Sequence, residues 1–178
     1  MIVLGIDPGT ANTGYGVVRA RDGRLSALDG GVIQTRAAAA PERRLGTIHA
    51  QVLALIDEHD VGVVALEDLY FGQNTRSAFA VGQARGVVLL AGAQRGLSCH
   101  SYTPQQVKAA VCGHGRAPKE QVARMVAAML SLGQAPARDH ASDALAVAIC
   151  HANAAPLSRA LQGFAQTASA RTSLVPRR

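Results

Sequence analysis

The chain has 178 residues, of which 48% are hydrophobic, a size that suits one domain with a full core. Eighteen Lys and Arg residues against twelve Asp and Glu residues give a net charge of +6, which favours a polyanionic partner, nucleic acid above all. No apolar stretch reaches the roughly 18 residues of a transmembrane helix, and the amino-terminal residues lack the basic region of a signal peptide. Three cysteines without CxxC spacing argue against a disulfide scaffold and a structural zinc site, so we expect a cytoplasmic protein.

Hydrophobic periodicity predicts strands and helices in a mixed order along the chain. Short apolar, β-branched runs predict strands, and apolar residues at spacings of three and four predict helices. The stretch DPGTANTG predicts a turn between the first two strands, and Thr103 with Pro104 suits the start of a helix. The predicted strands cover 2–6, 15–18, 25–35, 61–67 and 97–102. The predicted helices cover 41–60, 75–95, 104–111, 119–132 and about 139–154.

This order predicts an α/β fold with a mixed five-stranded sheet and helices on both faces. The first three strands form an antiparallel meander, to which the later strands add in parallel. We expect one domain over residues 1–155 and a basic, mobile carboxyl-terminal tail over 156–178. Gly82, Gly86 and Gly92 are costly in the interior of the second helix, and small residues at a spacing of four, such as Gly82 and Gly86, predict a close packing seam there.

Three acidic residues stand beside buried apolar segments rather than on polar surfaces. Asp7 ends the first strand, Glu67 ends the fourth strand, and Asp143 precedes the apolar run of the last helix. Strands that end in the same direction in one sheet bring Asp7 and Glu67 together, where like charges raise each other's pKa unless a cation joins them. Carboxylates suit magnesium and manganese, and a pair of such ions can assist an in-line phosphoryl displacement.

The last helix offers two candidates for a further ligand. His140 and Asp143 are three residues apart and share a helix face, but Asp139 is four residues before Asp143 and could share it as well. Periodicity leaves the choice between Asp139 and His140 open. The position of Asp139 at the helix start favours an N-cap role for it, and an imidazole can bind a metal or act as a base near neutral pH.

Four segments, in this order, resemble the RuvC family of Holliday-junction resolvases and span about residues 2–151. The resemblance implies a ribonuclease-H-like fold of the integrase superfamily, a homodimer and a metal-dependent endonuclease that cuts four-way DNA junctions. The segments are GIDPGTANTGYGVV, ALEDLYFGQNTRSAFAVGQARGVVL, YTPQQVKAAVCGHGRAPKEQV and DHASDALAVAICH.

The resemblance also implies the roles of individual residues. It assigns Asp7, Glu67, His140 and Asp143 as catalytic residues and metal ligands, with one or two Mg²⁺ ions per site and Mn²⁺ as a substitute. The chain departs from members that carry Asp at the place of His140, which leaves Asp139 as a rival ligand.

For DNA binding, the resemblance implies an aromatic wedge in the loop after Glu67 and two lysines near the active site. Tyr70 aligns with the wedge and Phe71 is its substitute; stacking on a base contributes about 1–3 kcal/mol. Arg76, near the start of the second helix, is a candidate phosphate contact, and Arg85 in the segment GQARG of the same helix could instead pair across a dimer seam. The expected nucleic-acid-binding residues are Tyr70, Phe71, Arg76, Lys108 and Lys119.

The resemblance implies paired symmetric nicks that leave 3′-hydroxyl ends, during recombination and repair. The implied partners are junction DNA, a second copy of the chain and the branch-migration proteins RuvA and RuvB. A nuclease of the same fold acting on other structured nucleic acid is one alternative. An actin-like or sugar-kinase-like ATP-binding domain is another, since GIDPGTANTG resembles its phosphate hairpin; such proteins, however, need two such domains around the nucleotide.

Overall fold

The computed structural model describes residues 1–68, 75–133 and 140–154, and for 75–77 the helix backbone alone. A five-stranded sheet with the strand order β3-β2-β1-β4-β5 forms its centre. Strands β1, β2 and β3 are antiparallel to one another, and β4 and β5 add in parallel beside β1. The predicted mixed sheet is therefore confirmed. The strands are β1 (Ile2–Asp7), β2 (Asn12–Arg21), β3 (Arg24–Gln34), β4 (Val63–Glu67) and β5 (Cys99–Tyr102).

Helices cover both faces of the sheet, as predicted, and each face has its own core. One core joins the sheet to the first two helices through residues such as Leu4, Ile6 and Val88. The other joins it to the later helices through Val3, Ala65 and other apolar residues. The helices are α1 (Pro41–Glu58), α2 (Thr75–Gln94), α3 (Pro104–Cys112), α4 (Lys119–Met129) and the helical residues 140–154, called α5 below. In the described ranges, no helix combines the length and the apolar character that crossing a membrane requires.

The main departure from the predicted elements is the length of the second strand. The prediction assigned residues 12–14 to the turn, whereas Asn12 already pairs with Gln34 in the sheet and Gly14 pairs with Asp7. Asn and Gly have low strand propensity, but pairing with β3, joined by pairing with β1 from Gly14 onward, and the close packing of α5 favour the extended conformation here. The predicted tail lies outside the described residues.

Strand alternation brings two of the acidic residues to one face of the sheet. Val3 and Gly5 face α5, so Asp7 at the same parity faces it as well. Val63 and Ala65 belong to the same core, which places Glu67 on that face too. Because β1 and β4 are parallel neighbours that end at the same edge, both carboxylates lie under the amino-terminal end of α5.

Candidate active site

An acidic cleft of about 410 Å³ lies at the carboxyl ends of β1 and β4, between the sheet, α3, α4 and α5. The structure brings together all four residues predicted as catalytic. The cleft is lined by Asp7, Glu67, His140 and Asp143, with Lys108, Lys119 and the apolar Pro104, Val107, Val122 and Ala146. A larger cleft of about 720 Å³ lies at the opposite end of the sheet, and the part of the chain that the structure describes contributes one acidic residue to its lining, Asp22.

Glycines in β1 and β2 allow α5 to lie directly on the sheet. A Cβ atom at Gly5 would collide with the Ala144 carbonyl oxygen and come within 2.7 Å of the Ala148 nitrogen. A Cβ atom at Gly14 would collide with the His140 carbonyl oxygen and come within 2.6 Å of its carbon. This role of the two glycines was not predicted from the sequence, although glycine inside a strand is a known signal of close backbone approach. This contact carries His140 and Asp143 to the strand ends.

Glu67 carries the clearest electrostatic signature of the site. Burial, reinforced by the charges of Asp7 and Asp143 and by a hydrogen bond with Asp7, raises its pKa from 4.5 to about 7, although Lys119 acts in the opposite direction. The negative charge of the carboxylates in the cleft thus exceeds what the neighbouring Lys119 offsets. Such a cluster favours either a proton or a cation from solution.

The other members of the site are paired with one another. The His140 Nδ1 atom lies 2.7 Å from the Asp7 Oδ2 atom, so the ring and the carboxylate share a hydrogen bond. The Lys119 Nζ atom donates to the Asp143 Oδ2 atom at 3.1 Å. Half of the His140 side chain remains exposed, at 47%, whereas that of Asp7 is 18% exposed. The solvent-facing part of the site is therefore the imidazole and the lysine.

The donor set fits a hard divalent cation in its chemistry. Three carboxylates and one imidazole surround one cleft, and oxygen ligands with occasional histidine are what Mg²⁺ and Mn²⁺ accept. Among the described residues, however, no three acidic, histidine or cysteine side chains stand close enough to hold an ion as they are. The Asp7–His140 and Asp143–Lys119 pairs each engage one of the two carboxylate oxygens of the aspartate.

The remaining predicted site residues are only partly described. Lys108 and Lys119 line the cleft, on α3 and α4 respectively. Tyr70, Phe71 and the rival ligand Asp139 lie outside the described residues, as does the side chain of Arg76. The choice between Asp139 and His140 therefore stays open, and the pairing of His140 with Asp7 is the contact that the structure adds.

Arg85 on α2, for which the sequence also suggested a place in a dimer seam, has partners within its own chain. Its guanidinium donates to the carbonyl oxygen of Glu67 at 3.1 Å and to the Ser101 hydroxyl, and it lies 3.5 Å from a carboxylate oxygen of Asp68. The side chain is 17% exposed. Arg85 therefore joins the ends of β4 and β5 and fixes the backbone from which the Glu67 side chain projects.

The fold and the cleft together define a class of protein: a ribonuclease-H-like fold with an acidic site suited to phosphodiester hydrolysis. The family model described as crossover junction endodeoxyribonuclease RuvC matches residues 3–151. The chain belongs to the RuvC family.

Individual relatives agree with this assignment. The crossover junction endodeoxyribonuclease RuvC of Moorella thermoacetica is 54% identical over 156 residues, which cover 88% of this chain and 93% of that protein. The corresponding protein of Heliobacterium modesticaldum is 50% identical, over 86% of this chain and 94% of its own length. The structure of Thermus thermophilus RuvC in complex with a Holliday junction substrate superposes with a TM-score of 0.85 at 40% identity, covering 89% of this chain and 96% of that one.

Proposed function

We propose that this protein is a crossover junction endodeoxyribonuclease, which resolves four-way DNA junctions by paired nicks during recombination and repair. The observation that carries the proposal is the convergence of Asp7, Glu67, His140 and Asp143 on one cleft. Membership of the RuvC family supports it, as does the likeness to a relative whose structure contains a Holliday junction. The net charge of +6 suits a DNA substrate.

Asp7, Glu67, Asp143 and His140 are the proposed metal ligands, with Mg²⁺ as the expected ion and Mn²⁺ as its substitute. When bound, one or two such ions supply activation of water and stabilisation of the leaving oxygen. The reaction adds water across the phosphodiester link, breaks the bond to the 3′ oxygen and leaves a 3′-hydroxyl and a 5′-phosphate.

The protein's own groups contribute binding, orientation and proton handling. The hydrogen bond to the Asp7 carboxylate orients the His140 ring, whose exposed side can accept a proton from an attacking water. Lys119 is 63% exposed and can move from Asp143 to the phosphate, where it offsets developing negative charge. Lys108 lines the same cleft and is proposed to contact the adjoining phosphate. In the loop after Glu67, Tyr70 or Phe71 is proposed to stack on a base, and Arg76 to contact phosphate.

The direct test compares the protein with its Asp7→Asn variant on a mobile four-way junction, with and without Mn²⁺ or Mg²⁺. We expect paired nicks by the wild type in the presence of metal only, and a loss of at least about 100-fold in rate for the variant, because a metal ligand supplies several kcal/mol of transition-state stabilisation. Equal cutting by the variant would refute the assigned site. Cutting of linear duplex or RNA alone would favour another nuclease of the same fold.

Arg85 provides a second test within the same reaction. Replacement by Gln removes the fork that holds the Glu67 backbone, so we expect the single-turnover rate to fall about 10- to 100-fold and the half-saturating metal concentration to rise. Arg95→Gln is the matched control, because it removes a partly exposed ion pair with Asp57 at the other end of α2. A rate for Arg85→Gln no lower than that of Arg95→Gln contradicts the positioning role.

The proposed assembly is a homodimer that presents two sites to one junction. Helix α2 supports this by its exposed apolar side chains, with Phe79 at 70% and Leu90 at 52% exposure. Gly86 lies between them at helical spacing, and a Cβ atom there would meet nothing within 4 Å. A second copy of α2 can approach closely at this position.

Leu90→Glu should therefore convert the dimer to a monomer at micromolar concentration, because a charge in an apolar seam is costly to bury. Sedimentation velocity measures the change, and Met125→Glu, at an exposed apolar residue on α4, is the control that leaves the dimer intact. A monomeric wild type, or a dimer that survives Leu90→Glu, contradicts the assignment.

Two further partners and the location rest on family membership alone. We propose that the branch-migration proteins RuvA and RuvB work on the same junction, and that the protein acts in the cytoplasm, where the chromosomal substrate of a bacterial resolvase lies.

A further inference from the structure

Three arginines cluster at the corner between β3 and α1, at the same end of the sheet as the acidic cleft. The β3–α1 corner, as we call it, consists of Arg36 after the end of β3 and Arg43 and Arg44 in the first turn of α1. The end of β3 pairs with the start of β2, and the start of β2 lies beside Asp7. The corner therefore lies at the same edge of the sheet as the acidic cleft, two strands away and on the side that α1 covers, whereas the cleft opens on the side of α5.

Arg44 is linked by hydrogen bonds through Thr35 to the turn that follows β1. Its Nε atom donates to the Thr35 hydroxyl at 2.9 Å, and that hydroxyl donates to the Thr10 carbonyl oxygen at 2.5 Å. The Thr35 backbone nitrogen donates to the Ala11 carbonyl oxygen at 3.0 Å. The half-buried Arg44 is thus held in place relative to the turn that begins just after Asp7, while Arg36 and Arg43 project into solvent.

The corner keeps its positive charge available. In the described ranges, no carboxylate lies within 4 Å of the Arg36, Arg43 or Arg44 guanidinium, whereas Arg85 and Arg95 are each paired with an aspartate. Glu42 is the one acidic residue between positions 35 and 45 of the sequence, so the corner carries a net charge of +2. A phosphate can therefore bind here without first breaking an ion pair between these arginines and a described carboxylate.

We propose that the β3–α1 corner is a phosphate-binding site for a DNA arm that extends beyond the acidic cleft. Neighbouring strands are about 4.8 Å apart, so the corner lies on the order of 10 Å to the side of β1. The contacted phosphates therefore belong to the DNA next to the cleaved link, within a few nucleotides of it. Guanidinium groups suit this role, since their planar fork matches phosphate oxygens. The inference rests on the proposed function and adds to it a contact outside the cleft.

The chain contains a charge-matched control at the far end of the same hairpin. Arg19, Arg21 and Arg24 stand with Asp22 at the turn between β2 and β3, which gives three arginines, one acid and again a net charge of +2. Arg36→Gln with Arg43→Gln, and Arg19→Gln with Arg24→Gln, therefore remove equal charge at opposite ends. All four of these side chains are exposed, which makes both pairs of substitutions mild for folding.

The test measures the dissociation constant of the full-length protein for a synthetic four-way junction in EDTA, over a range of salt concentrations. For Arg36→Gln with Arg43→Gln, called the corner pair below, we expect the affinity to fall about 10- to 100-fold at 0.1 M salt. The steepness of log K against log salt should decrease by about 2. For Arg19→Gln with Arg24→Gln, the affinity should stay within twofold of that of the wild type, and the slope should change by no more than about 0.5. Equal losses for both pairs, or an unchanged slope for the corner pair, overturn the proposal.

Neutral methylphosphonate links placed at successive positions on both sides of the cut locate the contact. A neutral link at a contacted position should weaken binding of the wild type but not of the corner pair, which is the non-additivity expected of direct partners. Additive losses at every position overturn the proposal. Cleavage of the unmodified junction by the wild type is measured in parallel: its absence refutes the proposed function, whereas wild-type cleavage with normal binding by the corner pair refutes this inference alone.

Discussion

Replacement of Glu67 by Gln should abolish junction cleavage and at the same time stabilise the metal-free protein. The carboxylate is held in a buried site beside Asp7 and Asp143, which raises its pKa to about 7. Gln keeps the size and a hydrogen-bonding oxygen but cannot carry the charge that binds metal. The cleavage rate should fall by at least about 100- to 1,000-fold, the loss expected for several kcal/mol of transition-state stabilisation.

The stability gain has a defined pH dependence. A carboxyl group whose pKa is higher in the folded than in the unfolded chain makes the free energy of unfolding fall as pH rises from about 4.5 to about 7. Above pH 7, where Glu67 is ionised in both the folded and the unfolded chain, its charge lowers the free energy of unfolding by on the order of 1–3 kcal/mol. Glu67→Gln removes that cost, so the two proteins should differ most above pH 7 and least below pH 4.5.

Urea denaturation in EDTA at several pH values measures this difference. Glu58→Gln, at an exposed carboxylate in the last turn of α1, is the control and should change the free energy of unfolding by no more than about 0.5 kcal/mol. Addition of Mg²⁺ should raise the melting temperature of the wild type more than that of Glu67→Gln. A variant that is less stable than the wild type at pH 8 contradicts the argument.

Gly14→Ala should impair both folding and cleavage through one added methyl group. The new Cβ atom would collide with the backbone of His140, and backbone cannot swing aside as a side chain can. Displacement of the start of α5 moves His140 and Asp143 away from the strand ends. We expect a destabilisation of about 1–3 kcal/mol, as for overpacked cores, and a rate loss of about 100-fold from misplaced groups.

Gly30→Ala is the matched control for Gly14→Ala on the neighbouring strand. Its Cβ atom would lie 3.5 Å from the Leu145 side chain of the same helix, which is ordinary packing distance. The substitution should be neutral or stabilise by up to about 1 kcal/mol, because Ala has fewer unfolded conformations than Gly. Thermal melting and single-turnover cleavage compare the two variants. Equal melting temperatures and equal cleavage rates for the two variants would contradict the prediction, since they would show that α5 tolerates a shift at its start.

Much of the fold follows from local patterns in the sequence. Apolar runs such as 2–6 and 61–67 are continuous because both faces of these strands are covered by helices, and such runs are easily recognised. The boundaries of β2 were harder to predict, since Asn12 and Gly14 have turn propensity and are extended only because neighbouring strands pair with them. Pairing between distant segments has no local signature.

The acidic residues of the site could be predicted because charge at the end of a buried strand is expensive and therefore conspicuous. The approach of Asp7 and Glu67 also predicted that like charges would raise the pKa of a carboxyl group, and the raised pKa of Glu67 confirms it. The sequence did not show that burial would be the largest cause, because burial depends on segments that are distant in the chain. The same holds for Arg85, whose helix position gave no sign that its partners are the ends of β4 and β5.

The order of strands and helices, the family and the candidate cation ligands could be read from residue type and spacing. The distances between these residues depend on how the elements pack. Gly5 and Gly14 let a helix from the end of the chain touch the first hairpin, and the contact of His140 with Asp7 follows from that packing. Separations across more than 130 residues are set by packing between surfaces, which no local stretch of sequence encodes.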